Sequence, residues 1–387
     1  MIERTLFNAD HDAFADSFRR FIDREIAPHH EAWEEQGYVD RDVWRKAGEN
    51  GFLCMTMPEA YGGAGADNLY SVAQIEALSG SGYTGIGFGL HSEIVAPYLL
   101  HYGTEAQRQN YLPRLASGEL VGAIAMSEPA AGSDLQGVKA TAIKQADGSY
   151  LLNGSKTFIT NGWHADLVIV VAKTNPGAGA KGTSLLLVER GMEGFAKGKR
   201  LKKLGLKAQD TSELFFDNVH VPAGNLLGGE AMENRGFVCL MEQLPWERLQ
   251  IAIQAIAAAQ SAIDWTVAYV KDRKVFGQAV ASYQNTRYTL AEQQTQVQVA
   301  RVFVDKCTEL LLKDQLDTAT ASMAKYWCSD LQCKVMDECV QLFGGYGYMW
   351  EYPITRAYAD ARVQRIYGGT NEIMKEVISR AMGLAGK

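Results

Sequence analysis

Glu247 is the residue best placed by its neighbours for proton chemistry. It stands in the run Leu244-Pro-Trp-Glu-Arg-Leu249. A carboxylate among Leu244, Pro245 and Trp246 loses hydration if buried, and burial raises its pKa towards the range of a general base. The same position suits a first-turn glutamate at the positive end of a helix, since an apolar helical stripe begins at Leu249. Two other stretches have a composition that packing alone does not demand. Ala123-Ile-Ala-Met-Ser-Glu-Pro-Ala-Ala-Gly-Ser-Asp-Leu-Gln-Gly137 combines a short apolar run with small residues and hydroxyls. Such a loop lets a flat ligand or a phosphate approach the backbone; an ordinary strand and turn explains it as well. Gly345-Tyr-Gly-Tyr and Tyr367-Gly-Gly-Thr-Asn-Glu372 mark either close-approach N–H donors or helix ends followed by a new N-cap.

Other patterns carry less. Gly85-Ile-Gly-Phe-Gly89 lacks the full dinucleotide spacing and follows a helical pattern rather than a strand. Ser322-Met-Ala-Lys325 has no companion motif for acyl-enzyme chemistry. His91-Ser-Glu93 lacks the cysteine pair a zinc deaminase needs. The seven histidines show no metal-ligand spacing, so no metal site is expected.

These loops need elements to hold them. Phe14, Phe18, Phe21 and Ile22 recur at helical spacing, with Asn8 or Asp10 as N-cap and Gly37 as stop. Helical patterns also cover 41–50, 68–80 and 105–117. Strand signals cluster from Val121 to Gly228: Tyr150–Thr160 (with an Asn-Gly hairpin cue at 153–154), Leu167–Ala172, Ser184–Val188 and Glu213–Val221. Long helical patterns return after Leu249, at 285–313, 317–343 and 352–384. The order is α–β–α, an α+β multidomain chain divided into 1–122, 123–235 and 236–387.

The chain has 387 residues, 47% hydrophobic and 21% charged, which fits two or three globular domains rather than a disordered polymer. A net charge of −7 disfavours nucleic-acid binding, and Lys197-Gly-Lys-Arg-Leu-Lys-Lys203 reads as a solvated turn. No apolar run of about 18 residues is expected to span a membrane. Six cysteines without a CxxC pair read as reduced core thiols. The first residues carry acidic groups and no apolar signal core, so a cytoplasmic protein is expected.

Together the segments resemble the acyl-CoA dehydrogenase family along essentially the whole chain. Ala125-Met-Ser-Glu-Pro-Ala-Ala-Gly-Ser-Asp134 matches one family signature. Gln341-Leu-Phe-Gly-Gly345 and Ala361-Arg-Val-Gln-Arg-Ile-Tyr-Gly-Gly-Thr-Asn-Glu372 match the other. The resemblance implies an N-terminal helical domain, a middle β-domain and a C-terminal four-helix bundle. It also implies bound FAD and a fatty acyl-CoA substrate oxidised to the trans-2-enoyl thioester. The reduced cofactor would pass electrons to an electron-transfer flavoprotein, and the assembly would be a homotetramer, a dimer of dimers.

By the same resemblance, Ile124, Met126, Ser127, Gly132 and Ser133 line the flavin with Phe158, Ile159 and Thr160. Thr370, Asn371 and Glu372 lie near the diphosphate. Arg273, Phe276, Gln284 and the run Gln341, Leu342, Phe343, Gly344 and Gly345 reach the FAD of a neighbouring subunit. Ser133, Ala180, Lys181, Val238, Pro245, Trp246, Arg248, Tyr367, Gly368 and Gly369 fall at the CoA ester. Most members carry their catalytic Glu immediately after the Tyr of the second signature, where this chain has Gly368. A minority place the base before an Arg on the helix that opens the C-terminal domain, which here is Glu247-Arg248. The resemblance therefore implies Glu247 as base and the Gly368 N–H as a donor to the thioester oxygen. Lys207-Ala-Gln-Asp-Thr211, Ala324-Lys-Tyr-Trp327, Gly347-Tyr-Met-Trp-Glu-Tyr-Pro-Ile354 and Gly368-Gly-Thr-Asn-Glu-Ile-Met-Lys-Glu376 are most similar to the long-chain members. A branched-chain or terpenoid acyl-CoA dehydrogenase, or a non-catalytic binding protein of the same fold, are the alternatives. Gly85, Gly87 and Gly89 either line a deep acyl pocket or serve packing.

Overall fold

The computed structural model describes residues 2–384. The first block is helical. α1 (Ala9–Phe21) starts at Asn8, whose side chain accepts the N–H groups of Asp10 and His11 while the His11 ring answers the Asn8 N–H. It continues through a π-turn and a 3-10 turn into α2 (His30–Gln36), ended by Gly37 at φ +79°. Then come α3 (Arg41–Glu49), α4 (Asn68–Gly80), a single turn α5 (Phe88–Leu90), α6 (Ala96–Tyr102) and α7 (Glu105–Ala116). The helical run from Phe88 to Tyr102 has no clean periodicity in the sequence, because a π-turn at His91–Val95 shifts its phase.

The middle block is a seven-stranded sheet. Its strands are β1 (Gly122–Ala125), β2 (Thr141–Lys144), β3 (Tyr150–Thr160), β4 (Leu167–Lys173), β5 (Thr183–Glu189), β6 (Phe195–Arg200) and β7 (Thr211–Val221). They lie in the order β1-β4-β2-β3-β7-β6, with β5 also paired to β4. β4 is buried along its whole length, so it reads as an uninterrupted apolar run.

The expected hairpin at Asn153-Gly154 is corrected here. β3 runs straight through it, and the pairing with β7 shifts register between Leu152 and Gly154. Gly154 has φ +144°, and a Cβ there would lie 2.7 Å from the Ala140 Cβ. The Asn-Gly pair therefore serves a bulge and a close approach rather than a turn. A second shift, between Lys156 and Ile159, brings Phe158 to φ +59° and leaves it 70% exposed.

The last block is a bundle around α8 (Gly236–Asp272), a 37-residue helix with Pro245 inside it. A two-stranded hairpin, β8 (Lys274–Val275) and β9 (Gln278–Ala279), leads to α9 (Gln284–Leu311). α10 (Thr318–Phe343), α11 (Pro353–Ala361) and α12 (Asn371–Ala381) complete it. By length and composition α8 could cross a membrane, against the expectation that no run would approach that. It is instead the bundle's core: Leu249, Ala252, Ile253, Ile256 and Ile263 pack with Val297, Val304, Val335 and Met336 from α9 and α10. The reading of Glu247 as a first-turn residue is also corrected. α8 starts at Gly236, so Glu247 lies three turns inside the helix, beyond the reach of its terminal dipole.

Candidate active site

The residues singled out in the sequence fall into three groups. The first joins the end of β1 to the end of β3. The Thr157 N–H donates to the Ser127 carbonyl at 3.0 Å, and the Lys156 ammonium donates to the Met126 carbonyl at 3.0 Å. These bonds hold Ile124, Met126 and Ser127 beside Phe158, Ile159 and Thr160. Lys156 also pairs with Glu128 at 2.8 Å, both almost wholly buried, and the Glu128 carboxylate accepts the N–H groups of Lys139 and Ala140. Burial alone would raise the Glu128 pKa, but Lys156 and the two N–H donors outweigh it and hold the carboxyl below its usual range. This brace was not singled out in the sequence; the only signal was a Glu inside the signature run. Gly132 and Ser133 follow in the exposed loop.

Half-exposed Ser127 and Thr160 beside an exposed Phe158 suit the polar edge and flat apolar face of a flavin, so the residues present fit FAD. Thr370 accepts the Ile373 N–H as N-cap of α12, an eleven-residue helix whose first turn carries exposed Glu372. Asn371 does not face outward as its proposed neighbourhood suggested. Its side chain is buried, taking a hydrogen bond from Lys325 at 2.9 Å and donating to Ser329 and Asp330, and so ties α12 to α10.

The second group surrounds Glu247. The Tyr98 hydroxyl of α6 donates to Glu247 Oε1 at 3.1 Å. Burial lifts the Glu247 carboxyl to about 7, with the Tyr98 hydrogen bond and the adjacent Arg248 charge pulling the other way. One turn further along α8, Ile251 covers Gly368: a Cβ at 368 would meet the Ile251 Cδ1 at 2.4 Å. Gly368 and Gly369 have φ of +64° and +90°, which suits glycine and strains any other residue. On the same side Arg248 donates to the Ser322 Oγ at 3.1 Å and comes within 4.0 Å of where a Gly369 Cβ would be. The buried Arg248 Nε has no hydrogen-bond partner among the described residues. The Lys325 ammonium fixes the Gly369 carbonyl at 2.7 Å. Tyr367, in the same loop, donates to Gln364 at 2.8 Å. Thus the structure sets Arg248 and Ile251, on the stretch of α8 that carries Glu247, against Gly369 and Gly368 from the other end of the C-terminal block. Trp246 and Pro245 lie on the same stretch of α8; Val238 and Met241, nearer its start, are exposed. Ala180 and Lys181 sit on the exposed connection between β4 and β5. Tyr98 was missed because its helix has no regular apolar period.

The third group is a cavity of about 500 Å³ lined by Arg273, Val280, Gln341, Leu342, Gly344 and Gly345, among others. None of its lining residues belongs to the Ile124–Ser133 or Phe158–Thr160 runs. Phe276 sits at the tip of the β8–β9 hairpin at φ +49° and is 97% exposed. Gln284 opens α9 and is exposed. Phe343 is buried, stacked on Tyr269 with ring centres 4.1 Å apart. The glycine run at 85–89 divides its roles. Cβ atoms at Gly85 and Gly87 would strike Gln209 and Asn161, so these two serve packing between blocks, while Gly89 faces open space.

A helical block, a β-sheet block carrying a flavin-compatible edge, and a bundle with a buried carboxylate fit the class that comparison with known proteins shows, a flavin-dependent oxidoreductase. The chain matches the acyl-CoA dehydrogenase N-terminal domain over residues 8–119, the middle domain over 123–219 and the C-terminal domain over 234–383. It is 54% identical over 379 residues to the mitochondrial long-chain specific acyl-CoA dehydrogenase of Mus musculus, covering 97% of this chain and 87% of that protein. An acyl-CoA dehydrogenase structure from Geobacillus kaustophilus superposes with a TM-score of 0.94 at 47% identity, covering 97% of this chain and 98% of the other. A solved chain from work on the electron transferring flavoprotein of Acidaminococcus fermentans gives 0.92 at 36% identity over 98% and 99%. The chain belongs to the acyl-CoA dehydrogenase family. It is an FAD-dependent oxidoreductase that dehydrogenates fatty acyl-CoA. The mitochondrial names of its mammalian relatives lend the cytoplasmic expectation no support.

Proposed function

We propose that Glu247 is the base that removes the α-proton of a medium- to long-chain acyl-CoA, in a homotetramer whose electrons pass to an electron-transfer flavoprotein. The observation that carries the base is the placement of a buried carboxylate on the helix face whose next turn, Ile251, covers Gly368. A side chain at 368 would need left-handed backbone and the space Ile251 fills, so the carboxylate comes from α8 instead.

FAD, when bound, supplies the acceptor for the hydride that leaves the β-carbon. The protein's own residues do the rest. Glu247 takes the α-proton and holds it. Its raised pKa matches proton abstraction near neutrality. The thioester oxygen gains negative charge as that proton leaves, and the N–H of Gly368, held by the Lys325 brace on Gly369, is the donor this reading assigns to it. Arg248 brings to the same wall a buried N–H that has no partner among the described residues.

The likeness to long-chain enzymes supports the chain-length assignment. The open cavity around Arg273 and Gln341–Gly345, with fully exposed Phe276 beside it, supports a neighbouring subunit that completes a second face of the FAD site. In this reading the domains divide near residues 122 and 235. The test is a panel of straight and branched acyl-CoA thioesters mixed anaerobically with the holoenzyme. Medium- to long straight-chain substrates should reduce the flavin with the highest kcat/KM, since each buried methylene adds about 0.8 kcal/mol of binding. Fastest bleaching by a branched thioester would move the enzyme to the branched-chain group, and no bleaching by any thioester would make it a binding protein.

A further inference from the structure

Glu247 carries two oxygens, and only one of them can take the substrate's proton. Oε1 is engaged by the Tyr98 hydroxyl at 3.1 Å. Tyr98 is wholly buried. Its own pKa is pushed well above the usual phenol range, by burial first and then by Glu247, so it remains a donor throughout the working pH range. The phenol is in turn held by a second contact between α6 and α8. The Tyr98 ring packs against Tyr102 with centres 6.0 Å apart, and the Tyr102 hydroxyl donates to Glu242 at 2.8 Å and accepts from Gln243 at 3.1 Å. The N-terminal helical block thus grips the first turns of α8 through two tyrosines one helical turn apart.

We infer that Tyr98 is a positioning residue for the base: its hydroxyl fixes Oε1 of Glu247 and leaves Oε2 as the oxygen that receives the proton. The inference rests on Glu247 being the base. Its chemistry is a hydrogen bond to the charged form. Such a bond stabilises the carboxylate over the acid and removes one rotational freedom from a side chain that must meet a C–H bond. Tyr98 from α6 and Arg248 from α8 itself are the titratable or charged groups that act on Glu247; both favour its ionised form. The Arg248 charge is turned towards Ser322, which leaves Tyr98 as the direct partner.

The test is Y98F, with kcat/KM followed against pH in the holoenzyme beside E247Q. Losing a hydrogen bond to a carboxylate should move the acid limb of the profile up by about one pH unit and lower the plateau about tenfold. Flavin content should stay at the wild-type level. A second variant with 3-fluorotyrosine placed at position 98 keeps the shape and strengthens the donor, so its limb should move down. Opposite shifts are not produced by a packing role. An unshifted limb in both variants while E247Q is inactive overturns the role of Tyr98 and leaves the base intact. Normal turnover of E247Q overturns both.

Discussion

Glu128 and Glu247 are both buried carboxylates, and the fold treats them in opposite ways. Glu128, in the loop between β1 and β2, meets a buried ammonium and two backbone N–H groups, and its charge is settled. Glu247, inside α8, meets one phenol and, among the described residues, no cation at bonding distance, and its proton is held to about pH 7. A buried carboxylate without a cation holds its proton more tightly. Buried Glu93 and Asp360 share that state; what sets Glu247 apart is the turn of α8 it shares with Arg248 and Ile251 against Gly369 and Gly368. The comparison separates a carboxylate whose charge is locked into a loop from one that holds its proton to about neutral pH.

The comparison breaks if removing the two charges has like effects. E247Q should lower turnover about a thousandfold, within the range that a positioned base contributes. It should not destabilise the protein. The raised pKa of Glu247 means that its contribution to stability is full below the usual carboxylate value near 4.5 and is lost as pH rises through about 7. Glutamine does not titrate, so E247Q should gain in melting temperature over wild type at pH 8 and gain least at pH 5.

K156M should do the reverse. Leaving Glu128 buried without its cation should cost about 3–5 kcal/mol in urea unfolding. The change should loosen the 126–128 loop and with it the flavin. Replacing both partners, as in E128Q/K156M, should recover part of that loss.

A smaller effect separates a site closed within one chain from one closed by a neighbour. R273A should weaken FAD retention roughly tenfold, the scale of one charge-assisted hydrogen bond. The loss should grow on dilution, as gel filtration of the coloured protein would show. The smallest effect expected is on wild type itself: the acid limb of kcat/KM should fall near pH 7, not near 4.5.

Much of this was legible in the residues. The α–β–α order followed from switching periodicity, and Asn8 and Gly37 bounded the first helical run through their capping chemistry. The signature loops were visible because glycines and hydroxyls crowd where packing does not ask for them. The rest depended on tertiary placement. Asn153-Gly154 has the composition of a hairpin turn, yet the approach of Ala140 made it a bulge. Pro245 concealed the true start of α8, because the helix carries that proline among its first turns. Tyr98, Glu128 and Lys156 have no local signal, since each owes its role to a partner 149 or 28 residues away. Asn371, expected beside the diphosphate, faces inward, because the buried Lys325 draws its carbonyl oxygen.

The most direct measurement of the central claim is anaerobic mixing of E247Q holoenzyme with palmitoyl-CoA, followed by flavin absorbance. If Glu247 is the base, the yellow protein binds the thioester, shown by a perturbed flavin spectrum, and does not bleach on the time scale of wild type. Bleaching at the wild-type rate would contradict that role, and would place the base at another residue.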